Sequence, residues 1–262
     1  MNDPIVISML SLTAFLVASG LLVLGFKDSR RHKIMTRLGY FLFVVGTLST
    51  TLDSVQAGKN PTYMASAVAW ATVISWFVWK IEIVGAFTSP IIAVTLMYGI
   101  FFGPLNPTPT GVEVGPALKL HIASAIIGQS FAILACGMSL LFLWLDKKLK
   151  SRQISDLPVS FPSISTLTKA LNLTLWVGFT FITLGLVSGA MYYMSGLVAP
   201  EMNILPKVIW AVFVWVWYLS ILVLKGILSY RPQRVARMSL VGFLLMAVSW
   251  FGFLFVAPWR VP

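Results

Sequence analysis

Residues 118–145 read LKLHIASAIIGQSFAILACGMSLLFLWL, and from Leu120 to Leu145 there is no Lys, Arg, Asp or Glu. As an α-helix at 1.5 Å per residue that run extends ~39 Å, longer than the roughly 30 Å hydrocarbon layer of a bilayer. It stops at Asp146-Lys-Lys-Leu-Lys150, a basic cluster of the kind that marks the end of a membrane span. Seven more apolar blocks surround it, at about 5–26, 38–55, 63–79, 83–103, 171–196, 205–224 and 238–257. The polar break around Lys80, Ile81 and Glu82 separates two of these, and the even count depends on it. The composition agrees: 58% apolar, 10% charged and a mean hydropathy of +0.89 lie far outside the range of a soluble domain. The reading is all-α, a polytopic membrane bundle of about eight transmembrane helices forming one integral membrane domain over 1–262.

The net charge of +11 would point to nucleic acid in a soluble protein. Here the basic residues fall in short clusters between apolar blocks, so they report topology and no nucleic-acid partner is expected. Placing the segments around 27–37, 80, 146–169 and 225–237 in the cytoplasm puts 15 of the 19 Lys and Arg there, against Lys59, Lys119, Lys207 and Arg260 outside. Both termini are therefore expected on the outer side, and the basic segments are expected to attract anionic lipid headgroups or an acidic partner. Met1-Asn2-Asp3-Pro4 lacks the positive start of a cleaved signal, so the first block is read as part of the mature protein. Pro and Gly crowd residues 103–111, an outer loop that cannot continue a helix.

Few residues offer chemistry. A lone Cys136 excludes a disulfide, a CxxC pair or a zinc quartet within the chain. Nothing matches a phosphate-binding loop, a catalytic triad or a zinc-binding helix. His121 lies one turn inside the outer end of the fifth helix, where a neutral imidazole is either a ligand for a metal or heme iron or an interfacial side chain bonded to water or a carbonyl. His32, amid Arg30, Arg31 and Lys33, reads as a solvated loop residue. Asp53 and Glu82 read as boundary residues whose carboxylates snorkel to the interface. Trp210, Trp215, Trp217 and Tyr218 in the seventh helix, with Tyr192 and Tyr193 at the end of the sixth, either wall a flat apolar ligand or serve packing and lipid contact. Gly185 and Gly189, four apart, permit close helix packing.

Taken in order, several of these elements resemble the CcsA/HemX family of cytochrome c assembly membrane proteins. Leu120-His-Ile-Ala with Ser130-Phe-Ala-Ile-Leu-Ala-Cys-Gly137 looks like the family's histidine-headed helix, and Gly178-Phe-Thr-Phe-Ile-Thr-Leu-Gly-Leu-Val-Ser-Gly189 its next span. Pro206-Lys-Val-Ile-Trp-Ala211 with Trp215 and Tyr218 resembles its Trp-rich segment. Arg231-Pro-Gln-Arg234, Val241-Gly-Phe243 and Trp250-Phe-Gly252 resemble its last basic loop and helix. The resemblance covers about Leu118 to Phe255. It implies a bacterial inner-membrane protein that handles heme, with His121 toward the iron and Tyr192, Tyr193, Trp210 and Trp215 beside the ring, among partners of cytochrome assembly or heme biosynthesis.

The family's Trp-Trp-Asp signature is missing: residues 195–204 read SGLVAPEMNI, and Leu205 stands where an Asp would precede Pro206-Lys207. A complete heme lyase is therefore not expected, and the chain looks closer to the HemX-like branch, a non-enzymatic accessory. Two other functions stay open: a scaffold or regulatory subunit that binds no heme, and a small-solute transporter. The transporter is the weaker reading, because the helix interiors offer mainly Ser, Thr and Gly.

Overall fold

The computed structural model describes residues 4–27, 32–57, 60–81, 83–102, 115–152, 162–194, 205–228 and 230–256, and all regular structure among them is α-helix. The helices are α1 (Pro4–Lys27), α2 (His32–Ala57), α3 (Asn60–Trp79), α4 (Val84–Phe102), α5 (Pro116–Lys150), α6 (Ile164–Met194), α7 (Leu205–Leu228) and α8 (Pro232–Val256). By length and composition α1, α2, α3, α5, α6 and α7 can each cross a membrane; α4 carries a shorter apolar run, Val84–Tyr98, and α8 opens with Arg234 and Arg237. The protein is a polytopic helical membrane bundle. The outer loop at 103–111, the stretch 195–204 and Glu82 lie outside the described residues.

Helices overrun their expected ends where basic residues sit. α2 begins at His32 rather than 38, α6 at Ile164 rather than 171, α8 at Pro232 rather than 238, and α5 continues to Lys150. An apolar run marks where hydrocarbon ends, whereas the backbone stops only where a cap or break intervenes. The Ser163 hydroxyl supplies one such cap, accepting the Thr166 N–H at 3.1 Å. The break at Lys80 is as expected: Lys80 takes a left-handed φ of 54°, its N–H closes onto the Trp76 carbonyl at 2.8 Å, and its ammonium lies over the Trp76 and Phe77 rings.

The helices fall into two compact units: one holds α1 to α4 with the chain around 147–167, the other the rest of α5 and α6 with α7 and α8. In the first, α2 shows the logic of a membrane helix. Its exposed stripe is Ile34, Leu38, Phe41, Val45, Leu48 and Leu52, while its buried stripe is Thr36, Tyr40, Phe43, Thr47, Thr50 and Asp53. Polarity thus faces inward and apolar surface outward, as lipid requires. Buried hydroxyls survive there by bonding to their own helix: Thr47 donates to the Phe43 carbonyl at 2.8 Å and Thr50 to the Gly46 carbonyl at 3.0 Å. Antiparallel α1 meets this stripe through Ser11 and Ser49 hydroxyls at 2.8 Å and an edge-to-face pair of Phe15 and Phe43, centroids 5.1 Å apart.

Pro90 inside α4 has no N–H to give the Ala86 carbonyl. The Ser19 hydroxyl of α1 approaches that carbonyl instead, at 3.4 Å. A neighbouring helix so takes over a backbone acceptor that hydrocarbon would leave orphaned.

Candidate functional site

The second unit is held by two seams. α5 lies against α6 through glycines: a Cβ on Gly128 would sit 2.8 Å from Ile182 Cγ1 and 3.0 Å from the Ile182 backbone nitrogen, and one on Gly178 3.1 Å from Phe131 Cβ. The backbones approach so closely only because these positions lack side chains. α7 lies against α8 through indoles: Trp217 Nε1 donates to the Met238 carbonyl at 3.0 Å and Trp210 Nε1 to the Leu245 carbonyl at 3.2 Å. Donors and acceptors are each seven residues apart, two helical turns, so one antiparallel register satisfies both.

His121 sits where the glycine seam reaches the start of α5. Its Nδ1 lies 2.7 Å from the Gly185 carbonyl oxygen. A Cβ on Gly189 would come within 2.7 Å of that same Nδ1 and 2.9 Å of Cε1, so the bare face of Gly189 is the seat of the imidazole. A carbonyl only accepts, so Nδ1 carries the hydrogen and, in the neutral ring, Nε2 holds a lone pair. Metal-binding histidines are commonly oriented in this way, the far nitrogen fixed by a carbonyl while the near one is left to ligate.

The other aromatic residues are distributed along the seams. Trp215 reaches α6, donating from Nε1 to the Thr183 hydroxyl at 2.9 Å and stacking on Phe179 with centroids 5.6 Å apart. His121 and Trp215 therefore both dock on α6, His121 on Gly185 and Gly189 and Trp215 on Phe179 and Thr183. Trp210 turns to α8 and packs on Phe213. Tyr192 is half-buried and Tyr193 exposed near the end of α6.

Sequence reasoning noticed Gly185 and Gly189 only as a packing pair; their place beneath His121 needed the register of α5 on α6. Trp217's role as the second indole of the α7–α8 seam was missed; its seven-residue spacing from Trp210 is the signal that could have paired the two. Asp53 is a correction: it does not snorkel but is 1% exposed, and the Ser8 hydroxyl donates to its Oδ2. The reason is that α2 runs on to Ala57, so Asp53 lies a turn inside a helix covered by α1. His32 is likewise no loop residue; it opens α2 with Nδ1 2.9 Å from the Gly25 carbonyl.

Heme is the group the sequence resemblance implies, and the donor set bears on it. Among the described residues no cluster of three His, Cys, Asp or Glu could hold a bare metal ion. A porphyrin brings its own four nitrogens and asks the protein for an axial ligand, which one oriented imidazole can be. The residues present fit that demand.

A bundle of long apolar helices defines the class: a multi-pass membrane protein. Residues 60–260 match the family described as cytochrome c assembly protein, and the chain belongs to it. The match reaches back into α3 and α4, beyond the second half in which the resemblance was legible. The chain is similar to the inner membrane protein YpjD of Escherichia coli (strain K12), 26% identical over 147 residues, 56% of this chain and 54% of that one. It is also similar to the cytochrome c biogenesis protein CcsA of Guillardia theta, 23% identical over 193 residues, and to that of Prochlorococcus marinus (strain AS9601), 24% over 200. Each of these two matches covers 66% of this chain, and 64% and 63% of the relative. The chain thus spans about half the length of the YpjD protein and somewhat under two thirds of the CcsA proteins.

Proposed function

We propose that this protein is a non-enzymatic, heme-handling accessory of cytochrome c assembly, resident in a bacterial inner membrane with both termini outside, and that His121 Nε2 is its axial ligand to heme iron. One observation carries the reading: the Nδ1 hydrogen bond to Gly185 and the seat on Gly189 fix the tautomer and plane of the ring and leave Nε2 as the free donor. Heme would supply the redox-active iron when bound; the chain's own part is to orient the imidazole and to keep apolar α6 surface beside it. The inner-membrane placement follows the name of the YpjD relative, and the orientation follows the distribution of Lys and Arg.

The test is the absorbance spectrum of the purified chain after heme supplementation, wild type against His121→Ala. A Soret band present in wild type and lost in the variant is expected. A band of equal intensity in His121→Ala overturns the ligand assignment. No band in either overturns heme handling and leaves the second reading, a scaffold or regulatory subunit, which the missing Trp-Trp-Asp signature favours. A C-terminal alkaline phosphatase fusion is expected to be active; an inactive fusion with a fluorescent cytoplasmic one would reverse the orientation.

A further inference from the structure

In the first unit a cavity of about 490 Å³ opens between α2 and α3 at the end where α2 begins. Its rim carries Lys33 and Arg37, one helical turn apart, both exposed. Its floor is the stacked pair Tyr40 and Trp76, ring centroids 4.5 Å apart and 18° from parallel. Phe41 and Val44 form the wall, and Phe41 is 63% exposed. The Lys80 ammonium lies 5.7 Å from the Trp76 ring centroid.

We propose that this groove binds one anionic phospholipid, its phosphate between Lys33 and Arg37 and its acyl chain along Phe41 and Val44. Three features of the cavity single out that chemistry. Two cations at (i, i+4) lie about 5–6 Å apart at their Cβ atoms, close enough to share one phosphate. The surface below them is apolar and continues into the exposed stripe of Leu38, Val45 and Leu48, so an occupant must have a long apolar body as well as an anionic head. The volume accepts a headgroup and the first part of one chain, and the open side of the groove leaves the rest of the lipid along the exposed stripe. A soluble phosphate or an acidic peptide would use the rim and leave the aromatic floor uncovered, whereas basic pockets between membrane helices take anionic headgroups together with the adjoining chain. The reading is independent of heme.

The experiment uses the full chain, purified in a neutral detergent, stripped of lipid and titrated with phosphatidylglycerol or with phosphatidylcholine of the same acyl chains, bound lipids being counted by native mass spectrometry. One phosphatidylglycerol held at least about tenfold more tightly than phosphatidylcholine is expected. Lys33→Gln with Arg37→Gln should weaken that site about tenfold or more, from the loss of two cations near the surface. Because those cations also bear on insertion, Val44→Trp provides a variant that keeps every charge and fills the groove; it should remove the same single lipid. Equal binding of the two lipids, or an undiminished tight site in Val44→Trp, overturns the proposal. So does displacement of the lipid by millimolar inorganic phosphate, which would make the site one for free phosphate.

Discussion

The two units solve the same problem, packing helices without a hydrophobic driving force, with different emphasis on hydroxyls and on rings. Among the described residues, thirteen of the 19 buried polar ones lie in the first unit, including the one acidic residue, Asp53. Most of its hydroxyls are satisfied by carbonyls one turn back on their own helix, as Thr47, Thr50, Thr72 and Ser89 are, so they ask little of a neighbour. The second unit brings α5 and α6 together over glycine, and beside hydroxyls bonded to their own helix at Ser124, Ser130, Thr174 and Ser188 it has ring contacts between helices: His121 to Gly185, Trp215 to Thr183, Trp217 to Met238. A self-satisfied helix can shift without losing its bonds. A glycine seam with an imidazole seated in it has one working distance, which suits a site that must hold a ring in one plane.

The glycine seam should therefore break most severely. Gly128→Ala places a methyl group 3.0 Å from the Ile182 backbone nitrogen, and backbone does not rotate away as a side chain does. A loss of about 2–3 kcal/mol is expected from overpacking. Gly20 of the first unit meets nothing within 4 Å, so Gly20→Ala should be neutral or gain up to about 1 kcal/mol from helix propensity. Unfolding of the two variants in mixed micelles with increasing SDS compares them directly. If Gly128→Ala costs no more than Gly20→Ala, the α5–α6 contact at Gly128 is not as close as described.

In the first unit the sensitive point is the carboxylate. Asp53 Oδ1 is buried with no hydrogen-bond partner, and Oδ2 takes the Ser8 hydroxyl. Ser8→Ala leaves both oxygens unpaired and should cost about 1–2 kcal/mol. In an Asp53→Asn background the same change should cost about half as much, because a neutral amide is cheaper to leave unsatisfied. Equal costs in the two backgrounds would mean that Ser8 contributes shape and not a bond, and the first unit would then be less dependent on its one buried carboxyl group than the contacts indicate.

The helices were legible because hydrophobic run length is a direct consequence of bilayer thickness, as in 118–145. Their basic ends at His32, Ile164 and Lys150 were not, since a helix leaving hydrocarbon carries the same charges as a loop. His121 was legible as a candidate from its residue type and position. Its seat was not, because nothing local says that Gly189, 68 positions later, faces it; that is fixed by how far α5 slides along α6. Asp53 was misread for a related reason. Whether a carboxylate near a helix end snorkels or is covered depends on the neighbouring helix, and Ser8 is 45 residues away.

The smallest expected effect tests the comparison from its quiet side. Tyr40 and Tyr218 are both buried, at 4% and 2% exposure, one in each unit. The Tyr40 hydroxyl lies 3.4 Å from the Ile81 carbonyl; the Tyr218 hydroxyl has no partner and its ring fills the space beside Gly242. Replacing Tyr by Phe keeps the ring in both places and deletes only the hydroxyl. At Tyr218 the group deleted is a desolvated donor with nothing to bond, so Tyr218→Phe should be neutral or stabilise by up to about 1 kcal/mol. At Tyr40 a contact, though a long one, is lost, and Tyr40→Phe should destabilise by about 0.5 kcal/mol. The sign of the difference is what matters. If Tyr218→Phe is the more damaging of the two, the hydroxyl has a hydrogen-bonding partner in the folded protein, such as an ordered water in the interior of the second unit, and that unit is held by a polar network as well as by its glycine seam.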